Sequence, residues 1–289
     1  MMKVLIFGVT GMLGNALFRY LAEDKDICVY GTARGNKAFQ HFPNALSPQL
    51  IVDVDVENQE SLVKVFTNIQ PDIVINCIGL VKQLAEASDP LLAIPINSLF
   101  PHRLAALCKT AGARLIHIST DCVFSGAKGD YVESDFPDAE DLYGRSKLLG
   151  EVDYPHAITL RTSIIGHELL GQKGLVSWFL AQQGTIKGFT HAIFSGFPTI
   201  ELANIIRNFV MPRPKMKGLY HVASKPISKY DLLCFITKTY KKEIEIVPTD
   251  SIVINRSLRA ELFNKETGYV VPEWPELVDR MYKFKKCSE

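Results

Sequence analysis

The sequence is poor in the features that mark several protein classes. Its six cysteines, at 28, 77, 108, 122, 234 and 287, are scattered without a C-x-x-C pair, and its seven histidines are dispersed. That distribution favours a reduced, cytosolic protein without structural zinc over a disulfide framework. Charge of one sign is also lacking: 32 Lys and Arg against 31 Asp and Glu give a formal charge of +1. Nothing in that balance draws the whole molecule to nucleic acid or membrane. The one lopsided stretch, Lys283, Lys285 and Lys286, reads as a solvated end.

No segment approaches the roughly 20 apolar residues that a membrane span requires. Lys3 and the apolar run after it resemble a signal peptide, but three evenly spaced glycines and an early second strand argue against one. There is no G-x-S-x-G nucleophile elbow and no Walker lysine after the first glycine turn, which excludes those routes to hydrolase and nucleotide triphosphatase chemistry. Internal repeats and low-complexity linkers are absent.

What is present is ordinary globular composition, 47% hydrophobic and 22% charged over 289 residues. That length suits one large α/β domain, or one domain with a smaller lobe. Strands are expected at Lys3–Phe7, Ile27–Ala33, Leu50–Val54, Asp72–Cys77 and Arg114–Ser119, with helices at Leu13–Ala22 and Gln59–Ile69 between them. Nearly unbroken Val and Ile runs alternating with helices predict a doubly wound parallel sheet covered on both faces, a Rossmann-like fold. Asn97 is expected to cap a helix from Ser98 to about Thr110, which puts Pro101 in its first turn, where the missing N–H costs no internal bond. Cys28 and Cys77 read as small core hydrophobes.

After Arg161 five glycines, from Gly166 to Gly188, break the pattern. Helices are expected near Ile200–Phe209 and Lys229–Tyr240, and a strand near Glu243–Val247. The expected division is a dinucleotide-binding domain over 1–163 and a smaller substrate lobe over 164–289, with elements near 190–222 returning to the first domain.

Gly8-Val9-Thr10-Gly11-Met12-Leu13-Gly14 joins the first strand to the first helix. Glycine there permits a tight turn and lets backbone amides approach a pyrophosphate at the helix N-terminus. The second strand ends Gly31-Thr32-Ala33-Arg34, with no acid to hold a ribose 2′-hydroxyl. Arg34 therefore favours NADP(H) over NAD(H), a solvated loop arginine being the alternative. Asp55-Val56 is placed to bound the adenine, although a simple turn aspartate fits nearly as well.

Tyr143 and Lys147 lie four residues apart on a helix beginning near Leu142, so they share a face. A phenol has an ordinary pKa near 10, and a neighbouring ammonium is expected to lower it and ready the group for proton transfer. The spacing recurs at Tyr282 and Lys286, which lack context. Ser119-Thr120-Asp121, at the carboxyl end of the fifth strand, supplies that context for Tyr143. Thr120 can hydrogen-bond a substrate oxygen or orient the phenol. His117 reads as a satisfied core residue rather than a ligand, and no metal site is expected.

Together these residues resemble the extended short-chain dehydrogenases, and more narrowly the dTDP-4-dehydrorhamnose reductase group. The resemblance rests on Gly8–Gly14, Asn76-Cys77-Ile78-Gly79, Ile96-Asn97 with Pro101, and Ser119–Phe124 with Gly126. It continues through Tyr143-Gly144-Arg145-Ser146-Lys147 with Gly150-Glu151, Arg161-Thr162-Ser163, and Gly196-Phe197-Pro198-Thr199. It implies a triad of Thr120, Tyr143 and Lys147, with Ser119, Thr120, Asp121 and Tyr143 facing substrate. Lys147 would also hold the nicotinamide ribose, and Cys77, Ile78 and Leu80 would line the cofactor. The implied reaction is reduction at C4 of a nucleotide-linked 4-keto-6-deoxy sugar for surface polysaccharide synthesis, by a protein expected to be a homodimer. Cys122, Ile164 and Ile78-Gly79-Leu80-Val81-Lys82 depart from the rhamnose enzymes at positions facing substrate. A UDP-linked N-acetylated deoxyhexulose thus remains as open as dTDP-4-dehydrorhamnose. Two other functions stay open: an epimerase or dehydratase that retains NAD, against which Arg34 speaks, and a non-catalytic NADP-binding regulatory subunit.

Overall fold

A computed structural model describes residues 1–82 and 85–288, with the side chains of Ala85, Cys287 and Ser288 outside the description. Among the described residues the strands are β1 (Met2–Phe7), β2 (Ile27–Thr32), β3 (Leu50–Ile51), β4 (Ile73–Asn76), β5 (Arg114–Thr120), β6 (Ala157–Thr162), β7 (Ile164–Ile165), β8 (Thr185–Phe194), β9 (Phe197–Pro198), β10 (Gly218–His221), β11 (Ile227–Ser228) and β12 (Glu245–Asn255). The α-helices are α1 (Met12–Ala22), α2 (Gln59–Ile69), α3 (Pro90–Ala93), α4 (Phe100–Ala111), α5 (Leu142–Leu149), α6 (Leu175–Ala181), α7 (Thr199–Ile205), α8 (Lys229–Tyr240), α9 (Glu261–Thr267) and α10 (Trp274–Ser288).

Seven strands form one parallel sheet in the order β10-β6-β5-β4-β1-β2-β3. Every residue of β4 and β6 is buried, as strands covered on both faces require. Alternation along the strands feeds two cores. Val4, Ile6, Ile75 and Ile116 pack with α1, α7 and α10 on one face. Leu5, Phe7, Val74 and Leu115 pack with α2 and α4 on the other. The chain order reverses between β1 and β4, where open sheets of this kind bind ligands.

The second half contributes to the same sheet. β10 pairs with β6 from Gly218 opposite Ile158 to His221 opposite Arg161, and α7 packs beside α1. The remaining strands form small sheets, β11-β8-β12 and β7-β9.

Three elements depart most from the sequence-based expectation, one being β12, which runs to Asn255, well past the expected end near Val247. β3 stops at Ile51, not Val54, because Asp53 adopts a left-handed φ of 59° that ends the pairing. Asn97 is no cap. Asp89 caps the helix by accepting from the Leu91 amide, and the helix runs on through wide π turns at Ile94–Leu99 into α4. There the Phe100 amide donates to the Pro95 carbonyl, five residues back. That re-spacing accommodates Pro101 well inside a helix. By length and composition the combined helix, Pro90–Ala111, is apolar enough to cross a membrane, where no such segment was expected. Phe100, Leu104 and Cys108 bury its inner face against the sheet, so its apolarity serves the core.

Candidate active site

Gly8 turns the chain with a φ of 88°, a left-handed conformation that favours glycine. Gly14 lets α1 press against that turn, since a Cβ there would sit 2.1 Å from the Gly8 carbonyl oxygen. Gly11 caps α1 with no side-chain bond, so the first amides of the helix remain available to an anion.

A cleft of about 220 Å³ opens at the reversal between β1 and β4. Gly8, Thr10 and Gly11 line it from the turn, Arg34, Asp55 and Val56 from beyond β2 and β3, and Cys77 and Ile78 from beyond β4. The structure thus brings together eight residues proposed from sequence for a dinucleotide. Thr32, Ala33, Val54, Glu57, Gly79 and Ile96 line the same cleft and were not assigned to the cofactor. Thr32, Ala33, Gly79 and Ile96 stand in the quoted motifs; for Val54 and Glu57 the one signal was position beside Asp55 and Val56.

Three others sit differently. The Leu13 side chain is in the core, and Met12 packs toward Gly166 and Gly174, so both offer the turn only their backbone. Leu80 is buried with Ala87, Ala93 and Ile96 instead of lining the cleft. Asn97 holds it there, accepting from the Leu80 amide at 2.8 Å and donating to its carbonyl at 3.2 Å.

Asp141 caps α5 by accepting from the Gly144 amide, which sets Tyr143 and Lys147 on the face toward β5. The Thr120 hydroxyl neighbours the Tyr143 phenol and favours its ionised form. Burial and the neighbouring Cys122 raise the phenol above its ordinary range, and Thr120 offsets part of this. The expected lowering by Lys147 is not found. The Lys147 ammonium instead donates to the Ile118 carbonyl at 2.8 Å, and burial brings its pKa down to about 8. It stands at the inner end of the cleft: a Cβ on Gly79 would lie 3.7 Å from its Nζ.

Ser119 does not face the site. Its hydroxyl donates to Glu151 at 2.6 Å, on the opposite side of the strand from Thr120, as strand alternation dictates. Asp121 is buried behind Thr120, and burial raises its carboxyl against the opposing charge of Arg256. His117 is not fully satisfied: Nδ1 meets Asn76 at 3.2 Å, while Nε2 is buried without a hydrogen-bond partner.

Arg256, just past β12, was missed. Its Nε donates to the Phe124 carbonyl at 2.8 Å, and its charge acts on Asp121, Cys122 and Asp141. Burial nevertheless pushes the Cys122 thiol up to about 12. Lys82 pairs with Asp141 at 2.5 Å across the same rim. Among the described residues no group of three His, Cys, Asp or Glu side chains is placed to hold a metal ion.

A glycine turn at the switch point of a parallel sheet, with a Thr-Tyr-Lys set at the adjoining strand end, defines a Rossmann-like protein of the extended short-chain dehydrogenase class. More narrowly, the chain belongs to the RmlD substrate binding domain family, whose model matches residues 2–285. It is 27% identical to the dTDP-4-dehydrorhamnose reductase of Escherichia coli, over 97% of each chain. It is 28% identical to the methionine adenosyltransferase 2 subunit beta of Danio rerio, over 82% of this chain and 74% of that one. Its fold matches the crystal structure of dTDP-4-dehydrorhamnose reductase from Bacillus anthracis in complex with NADP, with a TM-score of 0.80, 22% identity, and coverage of 98% and 99%.

Proposed function

We propose that this protein is an NADPH-dependent reductase that gives a proton from Tyr143 to the C4 carbonyl oxygen of a nucleotide-linked 4-keto-6-deoxy sugar. The observation that carries the reading is the placement of the Tyr143 phenol: α5 turns it with Lys147 toward the end of β5, beside Thr120 and the inner end of the dinucleotide cleft. A phenol, protonated at neutral pH, can there donate to a carbonyl oxygen.

The cleft fits the cofactor. Gly8, Thr10, Gly11 and the α1 amides suit its pyrophosphate, Arg34 a 2′-phosphate, and Asp55 and Val56 the adenine end. When bound, NADPH supplies the hydride that the carbonyl carbon requires. Thr120 orients the donor phenol, and Lys147, at the inner end of the cleft, holds the nicotinamide ribose. Similarity to the E. coli reductase, and to a B. anthracis structure holding NADP, supports both the cofactor and the substrate class. A role in surface polysaccharide synthesis follows from that substrate.

The test is loss of NADPH absorbance on mixing the protein with dTDP-4-dehydrorhamnose or a UDP-linked 4-keto sugar. Tyr143→Phe is expected to slow turnover by about 100-fold or more. Full activity in that variant would sink the reading.

A second reading is supported by the D. rerio relative, named as a subunit of another enzyme at comparable identity. A non-catalytic NADP-binding subunit would turn over no keto sugar and would co-purify with a partner enzyme.

A further inference from the structure

Tyr143, Lys147 and Glu151 follow one another at four-residue intervals along α5 and the turn that ends it, so they form one stripe. Each member meets one of three consecutive residues at the end of β5. Tyr143 neighbours Thr120, Lys147 donates to the Ile118 carbonyl, and Glu151 accepts from the Ser119 hydroxyl. Glu151 is also gripped by Arg161, whose Nε and Nη2 each donate at 2.7 Å to separate carboxylate oxygens. Arg161 is buried and Glu151 partly so, with side-chain exposures of 4% and 12%.

We propose that Glu151 is a positioning residue for Lys147: its carboxylate, fixed by Ser119 and Arg161, holds the lysine to the strand end beside Tyr143. This rests on the role given to Lys147 above. Burial works against the ammonium, and Glu151 is the main group that opposes it. Cys77, facing Lys147 from the end of β4, has its thiol pushed up to about 12 and so contributes no charge at neutral pH. From β5, His117 is held well below its ordinary range by burial, by Lys147 and by His102 of α4, and is neutral. Tyr143 on the same helix is protonated. A purely structural Glu151 would do no more than neutralise Arg161.

The distinguishing experiment titrates Lys147 in the full-length apo protein by NMR with [ε-13C]lysine labelling, its signal assigned by loss in Lys147→Arg. Glu151→Gln is expected to lower the Lys147 midpoint by about one pH unit or more. Glu151→Asp, which retains the charge, is expected to restore most of it. NADPH affinity above pH 7, followed by nicotinamide fluorescence, is expected to weaken in step with the titration. Should Glu151→Gln fail to fold with Arg161 left charged and buried, Glu151→Gln with Arg161→Met removes both charges. The same fall is expected there. An unmoved midpoint in whichever folded variant lacks the carboxylate overturns the proposal. Failure of the wild type to reduce any keto sugar counts against the proposed reaction, while the titration still decides the role of Glu151.

Discussion

The carbonyl oxygen of Asn97 lies so close to Gly150 that a Cβ on the glycine would sit 1.9 Å from it. In an α-helix that oxygen would accept from residue 101, but residue 101 is a proline with no N–H to give. The end of α5 packs into the space that this leaves. The Asn97 side chain meanwhile spans the Leu80 backbone and Ser146, so one residue joins the loop after β4 to α5.

Gly150→Ala is therefore expected to push α5 off the π turns and destabilise the protein by about 1–3 kcal/mol. Because α5 carries Tyr143 and Lys147, turnover should fall by more than the loss of folded protein accounts for. Urea unfolding and activity per folded molecule, measured together, check both parts.

Thr120→Val keeps the shape of the strand end and removes the hydroxyl that meets Tyr143 and the Cys122 amide. Turnover is expected to fall by roughly 10- to 100-fold, with NADPH binding little changed, because Thr120 lies outside the cleft lining. Fluorescence titration of NADPH beside steady-state rates separates the two effects. An equal loss in binding would place Thr120 in the cofactor site instead.

The sheet was readable because β4 and β6 are apolar residue after residue, and the dinucleotide cleft because glycines punctuate the first strand–helix turn. What escaped depends on contacts that local pattern does not encode. The π turns at Ile94–Leu99 have no period distinct from that of an α-helix over so few residues, so from sequence Asn97 reads as a cap with Pro101 tolerated in the first turn. Arg256 reaches the Phe124 carbonyl from 132 positions along the chain, a tertiary approach that no spacing rule anticipates. Ser119 is different. Strand alternation alone turns it away from Thr120, and its pairing with Glu151 was within reach of the sequence.

Arg34 is exposed at the cleft with no acidic residue at the end of β2 to oppose a phosphate. Arg34→Ala is expected to raise KM for NADPH by about tenfold or more, the scale of one lost charge-assisted contact, and to leave KM for NADH nearly unchanged. Parallel steady-state runs with the two cofactors check it. Equal losses for both would make Arg34 a general wall of the cleft rather than a reader of the 2′-phosphate.

His221 gives the fold an acid sensitivity of its own. The imidazole is fully buried at the end of β10, with Nδ1 at 3.1 Å from the Tyr131 carbonyl and Nε2 beside the Arg161 guanidinium. Burial and the Arg161 charge hold its pKa down to about 4, against an ordinary 6.5. Between those values the unfolded chain binds a proton that the folded protein refuses. This group's contribution to stability is therefore intact above pH 6.5 and declines as pH falls toward 4. The loss approaches roughly 3 kcal/mol at the acid end. His221→Asn removes the titration while keeping a polar group near Tyr131. The variant starts less stable at pH 7, and its urea midpoint is expected to fall less than that of the wild type between pH 6.5 and 4.5. Parallel declines would show that the acid sensitivity lies elsewhere in the fold.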